Sequence, residues 1–125
     1  MPLPSQEIEP LIDSYCSAWS EPDGAAREET LSRVWAEGAR YTDPLVDASD
    51  THELAEMIGE VQSRHPGSRY ERCTPIDAHH GYARFGWRHV APDGSTVREG
   101  YDFVEVGDDR RIRRIVGFFG PATGA

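Results

Sequence analysis

No apolar run in this chain approaches the roughly 20 residues that a bilayer-spanning helix needs, and Met1 to Pro10 has neither the basic nor the apolar stretch of a secretory leader. A cytoplasmic protein with no membrane partner is the expectation. Cysteine is scarce: Cys16, on a predicted helix, and Cys73, on a predicted strand, show no C-x-x-C spacing, so each reads as a small buried hydrophobe. Basic residues are outnumbered, 13 against 22 acids, for a net charge of −9, and no basic cluster is interleaved with aromatics. That balance excludes nucleic acid and anionic membrane surfaces, which attract basic surface. There is no glycine-rich phosphate loop and no G-x-S-x-G nucleophile elbow. His79-His80 sits in a predicted turn where adjacent side chains diverge, and His52 and His89 lack partners at ligand spacing, so neither a metal nor a cofactor is expected. Repeats and low-complexity linkers are absent, and residues 1–125 read as one domain, able to bury about two-thirds of the unfolded surface.

What the chain does have is helices first and strands later, an α+β order. Ser5 can cap a first helix whose Ile8, Leu11, Ile12, Tyr15 and Trp19 fall on one face, so Tyr15 points inward. A second helix is read over Ala25 to Glu37, ending near Gly38, with Leu31, Val34 and Trp35 apolar. The third opens at Thr51, carries Leu54, Met57, Ile58 and Val61 on one stripe, and stops at His65-Pro66-Gly67.

From Arg69 the period falls to two, predicting strands over Arg69 to Ala78, Tyr82 to Ala91, Thr96 to Val106 and Arg111 to Phe119. The turns between them are short, which implies an antiparallel meander. Within Thr96 to Val106, Val97, Tyr101 and Phe103 share one face while Gly100, Asp102, Val104 and Val106 share the other. Neither face is cleanly polar. Three helices cover only one side of such a sheet, so the other side is read as a homodimer surface.

Asp43-Pro44 closes the run Trp35 to Thr42 among aromatic residues. Proline cannot donate to a strand ladder and disfavours the helical region for the residue before it, so the strand stops there with a carboxylate at its end. Such an Asp is either a turn initiator or a base.

Tyr15 with Trp19, then Trp35, Tyr41-x-Asp43-Pro44, Pro66-Gly67, Trp87, Gly100-Tyr101-Asp102-Phe103 and Phe118-Phe119-Gly120, taken in order, resemble the nuclear transport factor 2-like superfamily and its SnoaL-like branch. The resemblance covers nearly the whole chain. It implies a cone-shaped barrel in which a curved antiparallel sheet wraps around three N-terminal helices and encloses a pocket. The site pattern is similar to that of the ketosteroid isomerases, so the resemblance implies Asp43 as catalytic base and Tyr15 and a neutral Asp102 as donors to an enolate oxygen. In those enzymes an apolar site keeps the second acid protonated so that it can donate a hydrogen bond. Burial would do the same for Asp102, whereas pairing with Arg84 or Arg98 would ionise it.

One fold of this kind hosts many activities, so alternatives stay open. The reading is a binder of a small apolar ligand that also isomerises a steroid-like or polyketide-like ketone. The alternative is a binder without chemistry, with Trp19, Trp35, Met57, Trp87, Phe118 and Phe119 as walls. Below both ranks an epoxide hydrolase using Asp43, Arg84 and Asp102 as a relay. Asp47 and Asp50, ahead of the third helix, are unlike the glycine usual in relatives and fit a helix cap, and His65 belongs on the pocket rim.

Overall fold

In the computed structural model, which describes residues 5–121, the apolar stripe of helix α1 (Ser5–Ser20) is the face that is buried. Ile8, Ile12, Tyr15, Ala18 and Trp19 all lie in the core, as the helical spacing requires. The cap expected of Ser5 falls outside the described side chains. Helix α2 (Gly24–Val34) starts at Asp23, whose carboxylate accepts from the Ala26 backbone N–H at 3.3 Å. It ends earlier than the sequence suggests. Trp35, Ala36 and Glu37, read as helix, belong instead to strand β1 (Trp35–Thr42). Val34-Trp35-Ala36 suits either state, and pairing of Trp35 with Ile112 decides it, the irregularity being taken up at Gly38, where φ is +78°.

Beyond Asp43-Pro44 a short strand β2 (Asp47–Ala48), not expected from the sequence, turns back on β1. Helix α3 (Thr51–Arg64) follows with a reciprocal cap: Asp50 accepts from Glu53 N–H and the Glu53 carboxylate from Ser49 N–H, each at 2.8 Å. The buried Arg27 guanidinium fastens α2 to α3 through Ala55 O and Gln62 Oε1, which fixes the position of the α3 stripe.

The strand expected over Arg69 to Ala78 is broken in two, β3 (Arg69–Arg72) and β4 (Asp77–His79), with Cys73 in the gap ahead of Pro75. A proline cannot continue the ladder, so both pieces pair separately with β5 (Tyr82–Val90). Cys16 and Cys73 are both half-buried and unbridged, Cys16 packing against the core. Strands β6 (Thr96–Val106) and β7 (Ile112–Phe119) complete the meander. His80 and Gly81, both with positive φ, make the two-residue turn into β5.

The seven strands form one curved, unclosed sheet in the order β2-β1-β7-β6-β5-β3, with β4 also on β5. It is mixed, not wholly antiparallel, because β1 runs parallel to β7. The fold is therefore α+β, with the sheet curved around three helices. No helix among the described residues is long and apolar enough to cross a membrane.

Candidate functional site

Alternation along a strand puts Phe85, Trp87 and His89 on the inner face of β5 and Arg98, Gly100 and Asp102 on that of β6. Tyr15, Cys16 and Trp19 come up from α1 to meet them, and a cavity of about 160 Å³ remains between sheet and helices. Gly100 makes room for the wall beside it. A Cβ there would lie 2.8 Å from Trp87 Cζ2 and against the Phe118 carbonyl oxygen.

Tyr15 and Asp102 sit at the buried end of the cavity. Tyr15 is 1 % exposed, its ring stacks on Trp35 at 6.3 Å, and its hydroxyl faces the Trp19 side chain without closing a hydrogen bond of good geometry. Burial, and then the nearby Asp102 charge, hold the phenol well above its ordinary pKa. Asp102, 6 % exposed, lies between Phe85 on β5 and Gly117 on β7. Burial pushes its carboxyl up to about 7, the Trp87 indole N–H pulls it back down and the Asp43 charge raises it. That indole N–H faces the acid without closing a hydrogen bond of good geometry. Neither arginine pairs with Asp102: Arg84 bonds Asp77 at 3.2 Å on the outer face, and Arg98 lies over the Phe119 ring at 4.1 Å.

Asp43 is half-buried at the cavity edge. Its Oδ2 accepts from the Tyr41 hydroxyl at 2.7 Å, while Oδ1 accepts from Leu45 N–H at 2.8 Å and Val46 N–H at 2.9 Å. The β1–β2 turn thus orients the carboxylate, and Oδ2 keeps lone-pair capacity for a further proton. Gly117 lies between the two acids. A Cβ on it would come 3.1 Å from Asp102 Oδ1 and 3.2 Å from the Asp43 Cβ, so glycine leaves open the space that both carboxylates border.

Of the walls expected from sequence, Trp19, Met57, Trp87 and Phe119 line the cavity. Trp35 and Phe118 do not. Trp35 packs behind Tyr15 with its indole N–H on Ser49 O, and Phe118, next to an inward Phe119, points out and is 57 % exposed. Adjacent strand residues face opposite sides, so Phe118 and Phe119 cannot both be walls. Tyr41, Tyr70, Phe85 and His89 also line the cavity and were missed, although Tyr41 stands two residues before Asp43, and Phe85 and His89 two either side of Trp87. His89 is held by Ser68, whose Oγ lies 2.7 Å from its Nε2, and by the Tyr70 ring, which stacks on it at 4.2 Å. Burial first, then His65 and Arg98, push its pKa down to about 4, so it is neutral at pH 7. His65 is exposed and borders the cavity. Asp47 pairs with Arg40 and Asp50 caps α3, so neither borders it. No group of three His, Cys, Asp or Glu among the described residues is arranged to hold a metal ion.

No family model matches the chain, and no curated protein does either. Solved structures do. A proposed isomerase of the SnoaL-like family from Agrobacterium tumefaciens strain C58 is 33 % identical, with a TM-score of 0.87 over 93 % of this chain and 99 % of its own. A SnoaL-like protein of unknown function from Burkholderia thailandensis E264 superposes with a TM-score of 0.74 at 14 % identity, over 96 % of this chain and all of its own (100 %). A proposed polyketide cyclase from Sinorhizobium meliloti gives 0.68 at 16 % identity, over 92 % and 94 %. The last two matches speak for the fold alone. The identity and coverage of the first go further: the chain belongs to the SnoaL-like family.

Proposed function

We propose that this protein is a cytoplasmic isomerase that moves a proton next to the carbonyl of a small, largely apolar ketone. Asp43 takes the proton from the carbon between C=O and C=C, the electron pair delocalises onto oxygen, and protonated Asp43 returns the proton at the far end of the double bond. Tyr15 and neutral Asp102 donate to the oxyanion as it forms. The observation that carries this reading is the unpartnered Tyr15 hydroxyl beside an acid raised to about 7, in a cavity that Asp43 also borders. A phenol mimics the enolate, so p-cresol is expected to bind at least about tenfold more tightly than toluene by calorimetry. Tyr15→Phe should remove most of that preference. Equal affinity for the two ligands in the wild type would mean a plain apolar pocket.

A pocket without chemistry is the second reading, favoured by the three donors that already engage Asp43. The epoxide-hydrolase relay has no support, because Arg84 is held outside the cavity by Asp77.

We also propose a homodimer through the outer sheet face, where Tyr82, Phe103 and Phe118 are 43 %, 49 % and 57 % exposed. Light scattering should give twice the chain mass, and Phe103→Asp should halve it. A wild-type monomer at tens of micromolar would refute this.

A further inference from the structure

Several arginines on the sheet away from the cavity lining are neutralised: Arg72 by Glu9 and Asp13, Arg88 by Glu71 and Glu99, Arg84 by Asp77. Arg98 breaks the pattern. Among the described residues no carboxylate reaches it, and its guanidinium carbon lies 4.1 Å from the centre of the Phe119 ring, inside the lining of the cavity. Stacking engages the face of the guanidinium and leaves its N–H edge free for a planar acceptor. Glu71 also borders the mouth, but Arg69 at 3.6 Å and Arg88 at 3.9 Å already engage it. Arg64 is there too, unpaired among the described residues, although its place in the last turn of α3 is explained by the helix dipole.

The spacing sets the length of what could bind. Arg98 and Asp102 share the inner face of β6 four residues apart, about 13 Å of strand. A hydrogen bond of about 2.8 Å at each end leaves about 7 Å of that length for the ligand itself. One para-substituted six-membered ring covers that span. The volume agrees, since an apolar cavity of about 150 Å³ holds benzene and this one is about 160 Å³. In a chain of net charge −9, Arg98 and Arg64, unpaired among the described residues, make a local positive region at the cavity that would attract an anion.

We infer that the site takes a one-ring anion, with an enolisable carbonyl or phenolic oxygen held by Tyr15 and Asp102 and a carboxylate at the opposite end held by the edge of Arg98. This rests on the proposed donor end and adds a charged end to it. Calorimetry with 4-hydroxyphenylacetate and its amide, at low salt, tests the charged end. The acid is expected to bind at least about tenfold more tightly than the amide, with the gap shrinking as salt screens it. Arg98→Gln should abolish the gap, Arg98→Lys should keep part of it, and neither should change the affinity for p-cresol. Equal binding of acid and amide in the wild type, or a gap that survives Arg98→Gln, overturns the inference. Tyr15→Phe separates the two ends. If it weakens p-cresol while acid and amide bind alike, only the charged end fails; if p-cresol ignores it while the gap still depends on Arg98, the charged end stands and the donor end fails.

Discussion

Asp43→Asn should lower kcat on a β,γ-unsaturated ketone by about two to four orders of magnitude, the contribution of a positioned general base. The change is nearly isosteric. Asn keeps a carbonyl oxygen for the Leu45 and Val46 N–H groups, and the Tyr41 hydroxyl can rotate to accept from the new amide, so the β1–β2 turn should persist. Affinity for p-cresol should stay within about twofold, because phenol binding uses the donors and not the base. A kcat loss with binding preserved places Asp43 in the transition state. Full activity in the variant would make Asp43 a turn residue that happens to border a cavity.

The second large effect is on stability. Asp102 has a folded-state pKa of about 7 against an ordinary 3.8, so the folded protein holds a proton that the unfolded chain releases. By linkage, this contribution is fully present below about pH 4 and is lost as pH rises through about 7. The shift corresponds to a loss on the order of 4 kcal/mol once the acid is forced to ionise in its buried site. His89 has the opposite sign. Its folded pKa of about 4 lies below the ordinary 6.5, so its contribution is present above about 6.5 and fades as pH falls toward 4. Asp102→Asn removes only the first dependence. Urea unfolding should show the variant gaining on the wild type by several kcal/mol between about pH 4 and pH 8, whatever the offset between them. A difference that stays flat across that range would mean that Asp102 is charged in the folded protein throughout.

Periodicity made the helices legible, since α1 and α3 each bury one stripe against a single surface. It failed where two states compete over few residues. Trp35 and Ala36 continue an apolar helical pattern as well as they begin a strand, and only β7, more than seventy residues later, decides between them. The parallel pairing of β1 with β7 and the short β2 strand are long-range or turn-dependent and leave no local signature. At the site, Tyr15, Asp43 and Asp102 could be named from family resemblance, but the environment that matters could not. Gly117 between the acids and Gly100 behind Trp87 act by lacking side chains, and their neighbours become visible only when the strands are in register. The inward set Phe85, Trp87 and His89 was written in the period-two pattern, and only Trp87 was taken from it.

Proton transfer at carbon is the central claim, and it is observed most directly with cyclohex-3-enone in D2O by proton NMR. The ring matches the cavity of about 160 Å³, and the reaction needs no other reactant. Wild-type protein should convert it to the conjugated cyclohex-2-enone with the transferred proton retained in part against solvent deuterium, and Asp43→Asn should slow the conversion by about a hundredfold or more. Conversion no faster than in buffer, or equally fast with Asp43→Asn, would contradict it.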